Sequence, residues 1–283
     1  MIADFHGHVA VITGAGSGIG RATALAFARE GASIVVSDIN PLRAESVAEE
    51  VRQLGAGAVA VRCDVAEQGA IESLRQAALA EFGKISILMN NAGVVYSGQF
   101  LELPMSDWRK SYEINLFSVI EATQRILPDI LAAGGGHVIN VASVTALYPF
   151  NVDRMSYNSA RAAVVNFSEA LALDLWDKGV GVTCLCPGPT RTNMIENVHF
   201  VGKPNLTPPD LPMMEPTELA GKLVLALREG RYFVPGHELV REHVARRGAD
   251  PDAFLASAAE QFRTRSAQGV EMDLASILAK PAG

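Results

Sequence analysis

Short, nearly all-apolar runs alternate with longer amphipathic stretches through most of the chain. Residues 8–13, 33–37, 58–62, 85–89, 137–141 and 181–186 form the short runs and predict β-strands. Their apolar positions are continuous rather than alternating, as expected when helices cover both faces of a parallel sheet. Between them, residues 18–30, 41–54 and 67–82 carry helical periodicity. Pro41 suits an early helix position and Gly83 a helix stop. Further long helices are expected at residues 107–131 and 155–177. Repeated strand–helix units with short connections predict a doubly wound, parallel α/β domain.

Two segments break this rhythm. Residues 187–215 hold Pro187 and five further prolines (Pro189, Pro204, Pro208, Pro209 and Pro212) without a clear period. So long a loop in a compact domain is usually functional or mobile. A helix at 217–229 and a strand at 232–234 follow, and Gly236 opens a tail. The tail's helical stretches at 239–247, 251–262 and 272–279 carry too few large apolar residues for a core of their own. One domain over residues 1–235 is therefore expected. A helical extension over 236–283 would pack on that domain or on a neighbouring subunit.

Composition narrows the function classes. A chain of 283 residues, 49% hydrophobic and 19% charged, is globular rather than disordered. Lys and Arg number 24 against 31 Asp and Glu, a net charge of −7, which leaves no basic excess for nucleic acid. No apolar run is long enough to span a membrane, and the N-terminus lacks a basic start with an apolar signal core. Three cysteines make no disulfide scaffold. Cys184 and Cys186 share one face of a buried strand and Cys63 ends another, without the further ligands that zinc needs. A reduced, soluble, cytoplasmic protein without a bound metal is expected.

The first strand–helix connection reads Thr13-Gly14-Ala15-Gly16-Ser17-Gly18-Ile19-Gly20. Glycines there permit a tight turn and let a pyrophosphate approach the backbone at a helix N-terminus. The second strand ends in Asp38, where a ribose-binding carboxylate belongs. Such a carboxylate accepts from ribose hydroxyls and repels a 2′-phosphate, which favours NAD(H) over NADP(H). Two points compete with that reading. Asp38 could instead cap the helix that starts at Pro41, although Asn40 could do so too, and Arg43 nearby could tolerate a phosphate.

These residues are joined by Asp64-Val65, by Asn90-Asn91-Ala92-Gly93, and then in order by Asn115, Ser143, Tyr157 and Pro187-Gly188. With them the chain resembles the short-chain dehydrogenase/reductase family over residues 7–235. The resemblance implies a Rossmann fold and a nucleotide site that includes Gly14, Gly16, Ser17, Gly18, Ile19 and Gly20. It further implies that Asp64 and Val65 meet the adenine and that Asn90 and Asn91 belong to the segment along the adenosine ribose. Ala92 and Gly93 would let the backbone pass close to the cofactor. Pro187, Gly188 and Thr190 would border it, and Thr192 would meet the nicotinamide carboxamide. A homotetramer or dimer built on the two long helices is implied as well.

The resemblance also supplies the chemistry: Ser143 polarises a carbonyl and Tyr157 exchanges the proton. Asn115 bends a helix and holds a relay water. Tyr148 is a second tyrosine near Ser143, but its neighbours do not fit the family pattern. Where the family has Tyr-x-x-x-Lys, this chain has Tyr157-Asn158-Ser159-Ala160-Arg161. Spacing of i and i+4 keeps both side chains on one helix face. A phenol of ordinary pKa about 10 must fall by about three units to work near neutrality, about 4 kcal/mol. One cation about 4 Å away at an effective dielectric near 20 supplies about that amount. Arginine keeps the charge but replaces a compact ammonium with a planar fork that does not exchange its proton. An altered but competent site is therefore expected. The alternatives are an NAD(H)-binding sensor or scaffold without the chemistry, and an Arg161 turned away to an acidic partner.

Beyond Thr192 lie Met194, Ile195, Val198, Phe200, Val201, Leu206, Leu211, Met213 and Met214. In the family this region folds over the substrate, and so apolar a lid points to a hydrophobic ketone or secondary alcohol. The same residues could simply pack the lid onto the domain. Arg191 and His199 could meet an anionic substrate, although a lone His in a loop is more often solvated.

Overall fold

Val9 and Val11 enter one hydrophobic cluster while Ala10 and Ile12 enter another, so strand β1 (Val9–Thr13) is buried on both faces. The computed structural model describes residues 1–148, 151–194, 197–202 and 211–267. Its other main strands are β2 (Ser33–Asp38), β3 (Ala58–Arg62), β4 (Ile87–Asn90), β6 (Gly136–Val141), β7 (Val180–Cys186) and β9 (Phe233–Pro235). All pair in parallel, in the order β3-β2-β1-β4-β6-β7-β9. Helices α1 (Gly18–Arg29), α2 (Pro41–Gln53) and α8 (Pro216–Glu229) cover one face. Helices α3 (Ala70–Phe82) and α5 (Ser118–Ala132) cover the other, and α7 (Met155–Asp174) packs beside α5. This is the predicted doubly wound Rossmann architecture. Its strand order reverses between β1 and β4, and such a crevice is where open α/β sheets bind ligands.

Most predicted boundaries agree with the structure to within a residue or two. The helix expected from residue 67 starts at Ala70 instead. Asp64 accepts the Ala66 N–H at 3.0 Å, and Gly69 takes a left-handed φ of 79°, so a turn occupies the intervening residues. The helix expected over 107–131 is three pieces: α4 (Met105–Tyr112), a π-helical turn (Glu113–Phe117) and α5. Asn115 lies at the widened turn. Its amide donates to the carbonyls of Ser111 and Val94, at 2.9 Å each, and accepts from the Val94 N–H at 3.1 Å. The side chain thus competes for backbone groups that a regular helix would use.

Two further features sit above and beside the sheet. A two-residue strand β5 (Tyr96–Ser97) pairs with β8 (His199–Phe200), which ties the segment after β7 to the segment after β4. In the tail, α9 (Leu239–Ala249) and α10 (Pro251–Ala267) lie against helix α6 (Val144–Leu147) of the same chain. Val240 is buried there with Val144 and Tyr148, and Tyr148 stacks on His243 with centroids 4.8 Å apart. Ile195, Pro204, Leu206, Pro208, Pro209 and the helix expected at 272–279 lie outside the described residues. Among the described residues, no helix is long and apolar enough to cross a membrane.

His137 on β6 gives the fold a pH dependence. Its Nε2 lies 2.8 Å from Thr183 Oγ1, and burial pushes its pKa down to about 3. In the unfolded chain a histidine takes up its proton near pH 6.5. This contribution is therefore fully present above about pH 6.5 and is lost as the pH falls toward about 3, at about 1.4 kcal/mol per pH unit. His137→Asn is expected to flatten the fall of the urea-unfolding free energy between about pH 6 and pH 4 by close to one proton. An unchanged slope would mean that His137 does not carry that proton.

Candidate active site

The ends of β1 and β4 are sewn together where the strand order reverses. Thr13 Oγ1 accepts the N–H groups of Asn91 and Ala92 at 3.0 and 3.1 Å. The Asn91 amide donates to the carbonyls of Thr13 and Gly14 at 2.9 and 3.0 Å. Above this seam opens a cavity of about 800 Å³. Of the glycine-rich turn, Gly14, Ser17, Gly18 and Ile19 line it. Gly16 and Gly20 do not; they let the turn close on itself. The Gly16 N–H donates to Asp38 Oδ2 at 3.0 Å, and a Cβ at Gly20 would sit 2.4 Å from the Gly14 carbonyl oxygen.

Asp38 lines the cavity, and Asn40 performs the capping that competed for it. The Asn40 side chain accepts from the Leu42 and Arg43 N–H groups, whereas Asp38 Oδ1 accepts from the Asn40 N–H. Asp64, Val65, Asn91, Ala92, Gly93, Pro187, Gly188, Thr190 and Thr192 border the same space, with Arg43 and Cys63. Asn90 does not. Its amide is buried and donates to Thr123 Oγ1 at 3.1 Å and Asn140 Oδ1 at 2.8 Å, a core network that its polar type alone did not disclose.

At the other end of the cavity stand Ser143, Tyr157 and Arg161. Ser143 caps α6: the Thr145 N–H and Thr145 Oγ1 both donate to its Oγ, at 3.2 and 3.0 Å. A hydroxyl has two acceptor sites and one hydrogen, so the Ser143 proton stays free to donate. Tyr157 and Arg161 face the cavity from the first turns of α7, and the Arg161 Cζ lies 5.5 Å from the Tyr157 ring centroid. That distance places the cation within reach of the ring's electron density. Tyr148 is elsewhere, held among the aromatic groups of the tail.

Arg161 is 1% exposed and has no carboxylate beside it among the described residues. Nη1 donates to the carbonyls of Val141 at 2.9 Å and Asn115 at 3.3 Å, and Nη2 donates to Ala92 at 3.0 Å. These acceptors come from the end of β6, the π turn and the segment after β4. Gly93 makes the room, because a Cβ there would fall 2.0 Å from Nη2. Asn115 itself does not border the cavity; its backbone carbonyl accepts directly from the guanidinium, and its side chain braces Val94. Arginine carries five N–H donors, and its buried Nε has no partner. An orphaned donor at the cavity edge, an acidic carboxylate at its far end and a backbone cradle between them suit a dinucleotide.

The remaining walls are mostly apolar, with Thr145, Asn151, Asn193 and Asn197 among them. Val94, Val95, Ile114, Val144, Val198 and Leu211 line this half together with Met194 and Met213. Phe200, Val201 and Met214 of the expected lid do not reach the cavity. Neither do the two cations singled out from the loop: Arg191 pairs with Glu215 at 2.8 Å, and His199 lies 3.6 Å from Asp107. A second cation, Arg154, does line this half beside Arg161; it closes a single helical turn before α7 (Val152–Arg154). Its place three residues before Tyr157 was the available sequence signal, since i and i+3 share a helix face.

The family model for short chain dehydrogenase matches residues 8–199. The 7alpha-hydroxysteroid dehydrogenase of Escherichia coli strain K12 is 39% identical over 192 residues, 68% of this chain and 74% of that protein. The cyclohexanol dehydrogenase of Acinetobacter sp. strain SE19 is 35% identical over 242 residues, 85% of this chain and 95% of that protein. Among solved structures, a short chain dehydrogenase/reductase from Burkholderia phymatum in complex with NAD superposes with a TM-score of 0.81. It is 29% identical, with 89% of this chain and 96% of that one covered.

Proposed function

The chain belongs to the short chain dehydrogenase family and is an oxidoreductase acting on CH–OH groups. From that membership we propose that it interconverts a hydrophobic secondary alcohol and its ketone with NAD(H) in preference to NADP(H). One observation carries the reading: Asp38 and the glycine turn border one continuous cavity with Ser143, Tyr157 and Arg161. The Burkholderia phymatum relative, which binds NAD, supports the choice of a nicotinamide cofactor. Such a cofactor supplies or takes up the hydride at the reacting carbon.

The chain's own residues handle the oxygen and its proton. Ser143 donates its free hydrogen to the carbonyl oxygen. As negative charge grows on that oxygen, Tyr157 delivers the phenolic proton; in alcohol oxidation the same group removes it. Arg161, fixed by three carbonyls, holds positive charge over the ring and stabilises the phenolate. Because arginine keeps its proton, the phenol exchanges with solvent by a path that does not run through residue 161. The apolar walls exclude water from the rest of the substrate and support a hydrophobic one. An Arg161 turned toward the site rather than toward an acid favours this reading over a non-catalytic cofactor sensor. Exposed Phe117, Leu173 and Trp176 on or just beyond α5 and α7 support a homo-oligomer built on those helices.

Purified protein is expected to oxidise NADH with cyclic or aryl ketones and to use NADPH poorly. Asp38→Ala is expected to shift the NADH to NADPH ratio of kcat/KM by roughly tenfold toward NADPH, since the repelling carboxylate is gone. Spectrophotometric assays with both cofactors check this. Activity confined to sugars would overturn the hydrophobic reading, and an unmoved cofactor ratio would overturn the role of Asp38.

A further inference from the structure

Arg154 is a charged side chain of the cavity that the proposed chemistry does not use. Its Nε is buried without a hydrogen-bond partner. Among the described residues, no carboxylate forms an ion pair with it. Burial pushes its pKa down, opposed by the neighbouring Tyr157 and Asp153, but a guanidinium stays charged throughout the working range. A charge withdrawn from water is costly unless something pairs with it. Here the cavity walls are mostly valine, leucine and methionine with the neutral Asn151, Asn193 and Asn197, and the adjacent Asp153 offsets only part of the cost of burial.

Position gives this cation a use. Arg154 caps the helix three residues before Tyr157, near enough to feel its charge, and both face the same space. We propose that Arg154 is a specificity-determining residue that binds a carboxylate of the substrate, so that the preferred substrate is an oxo acid or hydroxy acid with a hydrophobic body. The planar fork takes a carboxylate through two parallel hydrogen bonds and so fixes orientation as well as affinity. A substrate held this way presents its carbonyl to Tyr157 and its apolar body to Val94, Val198 and Met213. The inference rests on the carbonyl–alcohol reading above and adds a charge to it.

The test compares benzoylformate, benzoylpropionate and benzoylbutyrate with their methyl esters, under NADH, in the full-length protein. At least one acid is expected to exceed its ester in kcat/KM by roughly tenfold or more. Arg154→Gln is expected to bring that ratio close to one, chiefly through KM for the acid, and Arg154→Lys to restore part of it. Equal use of acids and esters by the unaltered protein would overturn the proposal. So would an Arg154→Gln variant that loses kcat equally on both with a displaced pH profile, because Arg154 would then act on Tyr157. Turnover of neutral ketones alone would leave the alcohol–ketone reading standing and remove this one. If no ketone is turned over, the function above fails, and calorimetric titration of the NADH complex with benzoylpropionate still decides. Binding that Arg154→Gln weakens by roughly tenfold upholds the carboxylate site; binding that is absent, or equal in both proteins, overturns it.

Discussion

Tyr157→Phe is expected to lower kcat by about a hundred-fold or more in both directions while NADH binding persists, because a positioned acid–base group contributes that much or more. The substitution removes one oxygen and keeps the ring over which Arg161 lies. It therefore separates proton transfer from the packing of the cavity wall. Steady-state rates on a ketone and on its alcohol, with fluorescence titration of NADH, make the measurement. Retention of a tenth or more of the activity would mean that another group moves the proton. Tyr148 is not a substitute: it lies outside the cavity, stacked on His243 and edged by Phe254.

Arg161→Met is the second large effect. The buried carbonyls of Ala92, Asn115 and Val141 lose the donors that now satisfy them. Each unsatisfied group costs about 1–3 kcal/mol, but a buried charge is removed at the same time, which offsets part of that cost. Activity is thus expected to suffer more than stability. Without the cation over the ring, kcat should fall by about a hundred-fold or more. The pH–rate profile for alcohol oxidation should move to higher pH, because the phenolate loses its stabilising charge. Arg161→Lys keeps the charge on a shorter reach and is expected to fall between the two. A methionine variant with unaltered kcat and an unmoved profile would show that the charge plays no part.

The doubly wound sheet was legible because continuous apolar runs, helix stops such as Gly83 and a glycine turn after the first strand are local signals. The meeting of the glycine turn with Asp38 at one end of the cavity was legible for the same reason. Asp38 ends a strand and Asn40 caps the next helix, two roles that a few residues of sequence describe. The surroundings of Arg161 were not. Its acceptors lie 20, 46 and 69 residues away along the chain, and no local pattern announces a carbonyl. The polar roles in the substrate half were hidden likewise. Arg191 looked available until Glu215, 24 residues on, proved to hold it. Arg154 sat within one turn of the tyrosine and went unremarked, because an arginine just before a helix usually points to water. The break at Asn115 was expected as a bend, but the widened turn depends on Val94, which approaches from another segment.

The seam between Thr13, Gly14 and Asn91 joins strand ends, whereas most of the apolar substrate wall hangs on connecting segments, clasped by a ladder only two residues long between β5 and β8. The two halves of the cavity therefore answer to different constraints in evolution. An exchange near Met194 or Met213 alters what fits beside Tyr157 and leaves the strand seam intact, whereas an exchange at Thr13 or Asn91 unpicks the scaffold itself. Under the proposed chemistry, one end is free to drift toward new alcohols while the other keeps its cofactor seat. A lineage built on this plan can diversify its substrates without reinventing its redox partner.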